Sequence, residues 1–146
     1  MTVAAPPSAP CETVQVIAAD TSSSDLEADR VSVGVLVLPG RCWRCRQVTY
    51  PIVGVLGPGG AFRPFAEVAE QLAATLPEST LREIGTGPIQ QRRSRVGSYL
   101  SNGCVHCDAI QGEFPLREDL AAFRAEGGTL ADLLVGEVCL PRTATT

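Results

Sequence analysis

The chain of 146 residues has no lysine, a single histidine, a single tryptophan and no apolar stretch long enough to cross a bilayer. Each shortage narrows the possibilities. With His106 as the sole imidazole, any Cys–His or Ser–His nucleophilic scheme must use that one ring. The H-x-E pairing of a zinc deaminase is missing as well. Met1 to Pro10 holds no basic residue and no apolar run of signal-peptide length, so the expected address is the cytoplasm, with no membrane association. Thiols stay reduced there, and paired cysteines point to metal or redox chemistry rather than to a disulfide framework. The absence of lysine reads as coding bias toward GC-rich codons, although arginine does suit planar contacts with phosphate and carboxylate.

Apolar residues make up 45% of the chain and charged residues 19%, the balance of one folded domain. The expected organisation is a mobile segment over residues 1–10 and a single zinc-binding domain over 11–146. The net charge of -4 conceals an uneven distribution. Residues 1–40 carry one arginine against five acids, 41–95 carry eight against four, and 96–146 carry three against seven. The middle is a basic island.

The local patterns give an α+β fold with a mostly antiparallel sheet, two helices and two zinc knuckles. Thr13 to Ala18 and the β-branched run Val31 to Leu38 read as strands, the second largely buried. Asp20 to Arg30 reads as a loop. Gln47 to Leu56 is again strand-like, with Pro51 indicating a sheet edge or a bulge. Phe65, Val68, Ala69, Leu72 and Leu76 fall on one helical face, bounded by Pro64 and Pro77. Arg95 to Ser101 reads as a strand running into Asn102 and Gly103, with Ala109 to Phe114 returning from it. A second helix is expected from about Pro115 to Glu126, with Leu116, Leu120 and Phe123 inward and Gly127 and Gly128 ending it. Glu137 to Leu140 is a candidate closing strand. The only repeated unit is strand, cysteine pair, strand.

That unit carries the chemistry. Cys42-Trp43-Arg44-Cys45 and Cys104-Val105-His106-Cys107 form two C-x-x-C pairs separated by residues 46–103. Two thiolates in one tight turn take adjacent corners of a tetrahedron about 2.3 Å from zinc, and a second turn supplies the other two. Four thiolates close the shell, so the zinc is structural and has no site for water or substrate. The competing redox reading uses His106 within its C-x-x-C to lower a thiol pKa. Redox motifs of that kind open a helix, whereas Asp108-Ala109-Ile110-Gln111-Gly112 is a poor helix start. His106 is read as an exposed turn residue, Cys139 as a small apolar core residue, and Cys11 as lying beside a mobile segment, with a disulfide from Cys11 to Cys139 as the lesser alternative.

Arg41, Arg44 and Arg46 surround the first pair together with Trp43, while Arg92, Arg93 and Arg95 precede the second. If Arg95 to Cys104 is extended, nine steps of about 3.3 Å place that second cluster about 30 Å from the metal. A knuckle turns its cysteines inward, leaving Trp43 and Arg44 pointing outward, with Trp43 either packed on the neighbouring hairpin or exposed. The usual burial of tryptophan favours packing.

Arg41-Cys42-Trp43-Arg44-Cys45 followed by Pro51-Ile52-Val53, and Ser98-Tyr99-Leu100-Ser101-Asn102-Gly103-Cys104-Val105-His106-Cys107 followed by Gln111-Gly112-Glu113-Phe114, resemble a group of small bacterial zinc-ribbon-like proteins. The second turn of that group usually reads C-P-x-C-G, and Val105 and Asp108 stand at those places here. Asp tolerates a left-handed backbone, which preserves the turn. The resemblance implies metal at the four cysteines and no activity. The resulting reading is a non-enzymatic, zinc-stabilised adaptor that engages a protein partner through Trp43, Arg44 and Arg46. A nucleic-acid-binding zinc protein using the same residues is the alternative, and a thiol-disulfide oxidoreductase the third.

Overall fold

A strand covered on both faces has no need of polar alternation, and the run ending at Leu38 is such a strand. The computed structural model describes residues 30–141. The expected strand Thr13–Ala18, the segment 1–10 and Cys11 lie outside them.

β1 (Arg30–Val37) runs through the interior of a four-stranded antiparallel sheet. On one side it pairs with β4 (Ile52–Leu56), which pairs in turn with β5 (Phe62–Pro64). On its other side lies β9 (Leu134–Pro141), in register from Arg30↔Pro141 to Val35↔Gly136, with a shift before Leu36↔Leu134. Val33, Val35 and Val37 face α1 (Phe65–Thr75), whose Phe65, Val68, Ala69 and Leu72 are buried against them together with Leu140. Leu36 and Leu38 face the other way, toward Leu116 and Leu120 of α3 (Glu113–Ala125) and Leu133. The sheet is therefore a layer between two helices, with an apolar cluster on each face.

Both long helices lie where the apolar spacing places them, and Gly127 ends the second at a φ of 99°. A third helix, α2 (Glu78–Glu83), corrects the expectation of two. It has only Leu81 buried, so it offers almost no apolar period to read. Pro51 precedes β4, and the bulge it signals comes one step later. Leu36 pairs with Gly54 and Val37 with Ile52, leaving Val53 as the extra residue. This bulge lets Ile52 and Val55 serve one core while Val53 serves the other.

Two excursions leave this scaffold. Between β1 and β4 the chain forms the two-residue strands β2 (Gly40–Arg41) and β3 (Val48–Thr49), closed at the base by Leu38 N–H donating to the Pro51 carbonyl at 3.1 Å. Later, β6 (Gln90–Ser94), β7 (Gly97–Gly103) and β8 (Ile110–Gln111) make a three-stranded sheet. The expected strand Arg95–Ser101 is thus corrected to a hairpin turning at Arg95 and Val96, because Gly97, at a φ of 122°, admits a turn there. Among the described residues no helix is long and apolar enough to cross a membrane.

Candidate metal centre

Each C-x-x-C lies at the head of a short hairpin, and the two heads have the same hydrogen bonds. The carbonyl of the first cysteine accepts the N–H four residues on, from Arg46 to Cys42 at 3.0 Å and from Asp108 to Cys104 at 2.9 Å. The N–H of that cysteine donates to the carbonyl five residues on, Gln47 or Ala109, at 2.9 Å in both. Its sulfur receives the N–H two residues on, Arg44 or His106, at 3.3 Å. Such a turn needs a left-handed residue at its fourth step, and Arg46 (φ 67°) and Asp108 (φ 66°) stand there. Aspartate is a natural occupant. Arginine is not, and nothing in the sequence marked Arg46 for that conformation.

The two heads face each other. Cys42 Sγ lies 3.7 Å from Cys107 Sγ, Cys45 Sγ lies 3.7 Å from Cys104 Sγ, and all four sulfurs fall within 4.8 Å of one another. A disulfide would bring a pair to about 2.05 Å. A regular tetrahedron with 2.3 Å metal–sulfur bonds has edges of about 3.8 Å, so the spacing is that of ligands around one ion. All four thiols are free. Cys42 and Cys104 are buried, while Cys45 and Cys107 are half-buried.

Proton affinities across the set are uneven. Burial pushes the Cys42 thiol up, but the backbone amides of Cys45 and Arg44 and the sulfurs of Cys107 and Cys104 outweigh it, bringing the pKa from 9.0 to about 6. At Cys45 the Gln47 amide pulls down, yet burial and the sulfurs of Cys104, Cys107 and Cys42 prevail and raise it to about 11. One thiolate forms readily and its neighbour then keeps its proton. Four thiolates this close repel one another unless a cation sits between them.

Two aromatic rings lock the heads reciprocally. Trp43 Nε1–H donates to the Ile110 carbonyl at 2.6 Å, and His106 Nε2 lies 2.9 Å from the Val48 carbonyl, which makes it the protonated nitrogen. Each acceptor stands six residues beyond the first cysteine of the opposite head. Val105 N–H donates to Thr49 Oγ1 at 3.0 Å, and Gln111 Nε2 reaches Cys42 Sγ at 3.4 Å. His106 is exposed, as expected. The packing expected of Trp43 is corrected. The residue is 62% exposed, and its hydrogen bond holds the polar edge of the ring against the second head. Arg41, Arg44 and Arg46 are exposed beside it.

Three further residues hold the centre in place, and the sequence reading missed all of them. Asn102 is buried in β7, where its Oδ1 accepts from Ile52 N–H and its Nδ2 donates to the Ile52 carbonyl, each at 2.9 Å. That clamp fixes the second head to the base of the first. Thr49, also buried, donates its hydroxyl to the Gly85 carbonyl at 3.2 Å while accepting from Val105. Arg92 leaves the cluster expected far from the site. Its side chain, 9% exposed, donates to the carbonyls of Ser101 (2.8 Å) and Pro88 (2.9 Å) and pairs with Asp108 at 2.5 Å. A Cβ on Gly103 would press on that guanidinium and force it to shift. Arg93 and Arg95 remain at the hairpin end.

Cys139 is disulfide-bonded and half-buried, which corrects its reading as a small apolar core residue. No C-x-x-C opens a helix, since β8 intervenes before α3. No protein family, curated protein or solved structure matches the chain.

Proposed function

We propose that the chain is a non-enzymatic binding module whose two knuckles are held together by one zinc ion on Cys42, Cys45, Cys104 and Cys107. The observation that carries this reading is the sulfur spacing, 3.7 Å across two pairs and no more than 4.8 Å overall. An all-thiolate tetrahedral set suits zinc or iron. When bound, the ion supplies binding energy that is also folding energy, and four sulfurs leave no open position for chemistry. The resemblance to zinc ribbons belongs to the same reading and rests on the two cysteine turns and their flanking segments.

The cytoplasm is the proposed address, where the site thiols stay reduced until metal arrives. The disulfide at Cys139 pulls the other way, toward an oxidising compartment. The face held out for a partner is that of Trp43, Arg44 and Arg46.

Elemental analysis of protein purified without chelator tests the reading, with one zinc per chain expected. A coloured, iron-loaded protein overturns the choice of ion, and a metal-free protein with four freely reactive site thiols overturns the module. Cys104→Ser is expected to abolish stoichiometric zinc and to lower the melting temperature sharply.

A further inference from the structure

The hairpins that carry the two knuckles differ in charge from the rest of the molecule. From Val31 to Ala66 there is no acidic residue, and from Ile84 to Gln111 the only one is Asp108. Asp108 is already committed to Arg92. Arg41, Arg44, Arg46, Arg93 and Arg95 are all exposed, and among the described residues none of them takes part in an ion pair. The acids that make the chain negative overall are in the helices and in the segments outside these hairpins. A local surface of one sign on an acidic protein favours a partner of the opposite sign.

Trp43 lies within the knuckle part of this surface. Its indole edge is tied to Ile110, so the ring is held in one orientation while most of its area stays open to solvent. A ring already fixed loses little side-chain entropy when something stacks on it. Arg44 adjoins it in sequence, and Arg41 is tethered nearby through a 3.1 Å hydrogen bond to the Arg46 carbonyl. Fixed aromatic face and unpaired guanidinium groups together match a chain that offers a flat π-surface and an anion in every repeat. An acidic peptide offers the anions without the flat surface.

We propose that this face binds single-stranded nucleic acid, with one base stacked on Trp43 and the flanking phosphates on Arg41, Arg44 and Arg46. The inference rests on the zinc-module reading, because the metal holds the knuckles in register, and it gives that module a partner class. It also reverses the order expected from the sequence, which put a protein partner first.

The chain has a single tryptophan, so its fluorescence reports on position 43 alone. Zinc-loaded full-length protein, its metal content measured first, is titrated with a labelled single-stranded 12-mer of mixed sequence while tryptophan emission and label anisotropy are followed. Saturable quenching is expected, with a slope of log affinity against log salt of about -2 for three phosphates on a single strand. Trp43→Ala should weaken binding by about 5- to 160-fold, the range for loss of one stacked base, while Trp43→Phe retains most of the affinity. The double variant Arg44→Gln with Arg46→Gly, which leaves the ring in place, should flatten the salt slope by about 1.4. Zinc-loaded protein that neither quenches nor shifts the anisotropy overturns the inference and leaves the module standing, whereas protein that takes up no metal sinks the module itself. Equal competition by polyglutamate, or tighter binding of duplex without quenching, also overturns it and points to an acidic protein or to double-stranded DNA.

Discussion

Arg46 and Asp108 fill equivalent left-handed positions but are held there by different means. A left-handed backbone costs an ordinary L-residue about 1 kcal/mol, which glycine avoids. Arg46 has an exposed side chain and no ion pair among the described residues, so Arg46→Gly should stabilise the zinc-loaded protein by roughly 0.5 kcal/mol in denaturant melts. Asp108→Gly should do the reverse, by roughly 1 to 2 kcal/mol, because it strips the partner from a mostly buried Arg92. Two changes of the same sign would show that the turn geometry, not the ion pair, governs both sites. Cys45, held protonated up to about pH 11, must surrender its proton to a metal, whereas Cys42 at about 6 is already a thiolate near neutrality. Zinc binding at pH 7 should therefore release protons, and apparent affinity should fall as pH is lowered. Calorimetry in buffers of different ionisation enthalpy measures the release, and a buffer-independent heat would refute it.

Among the elements, the joint between β7 and β4 is a single side chain. Asn102 acts as a length of backbone, offering one donor and one acceptor to Ile52 where no strand pairing exists. Asn102→Asp keeps the size but replaces the donor with a second acceptor facing the Ile52 carbonyl, so a loss of roughly 2 to 3 kcal/mol is expected, larger than for most surface changes. A melting temperature within a degree or two of wild type would show that the joint is not needed. Asn102 also marks where sequence reading runs out. Beside Gly103 it has the look of a turn residue, and only the fold reveals a buried clamp spanning fifty positions. The helices at Phe65 and Leu116 and the buried strand at Val33 to Val37 were legible because apolar period follows from burial. The clustering of the four cysteines was legible because two C-x-x-C turns suit the corners of a tetrahedron. Hairpin β6–β7 was not, since Gln90 to Ser94 carries neither alternation nor β-branched residues, and Arg92 was grouped with neighbours it does not accompany. The exposure of Trp43 follows from a cross-hairpin bond that no local pattern encodes.

The molecule as a whole divides into a part held by apolar burial and a part held by sulfur. Two large clusters flank the four-stranded sheet, while the knuckles contribute only their cysteines and Ala109 to a third. Stripping the ion with a strong chelator should therefore loosen the knuckles first. Hydrogen exchange is expected to lose protection at residues 42–48 and 104–110 while β1, β4 and α1 stay protected. Uniform loss across the sheet would show that the two parts fold as one.

The ligands come from opposite ends of a long stretch of chain, and during synthesis they cannot be present together. Cys42 and Cys45 emerge first, and at about 5 to 20 residues per second the ribosome takes roughly 3 to 12 s to add Cys104 and Cys107. Throughout that interval the nascent chain presents half a coordination shell, open to a second chain on the same message or to a thiol scavenger. The order of synthesis thus leaves a brief window in which the first cysteine pair waits for the second.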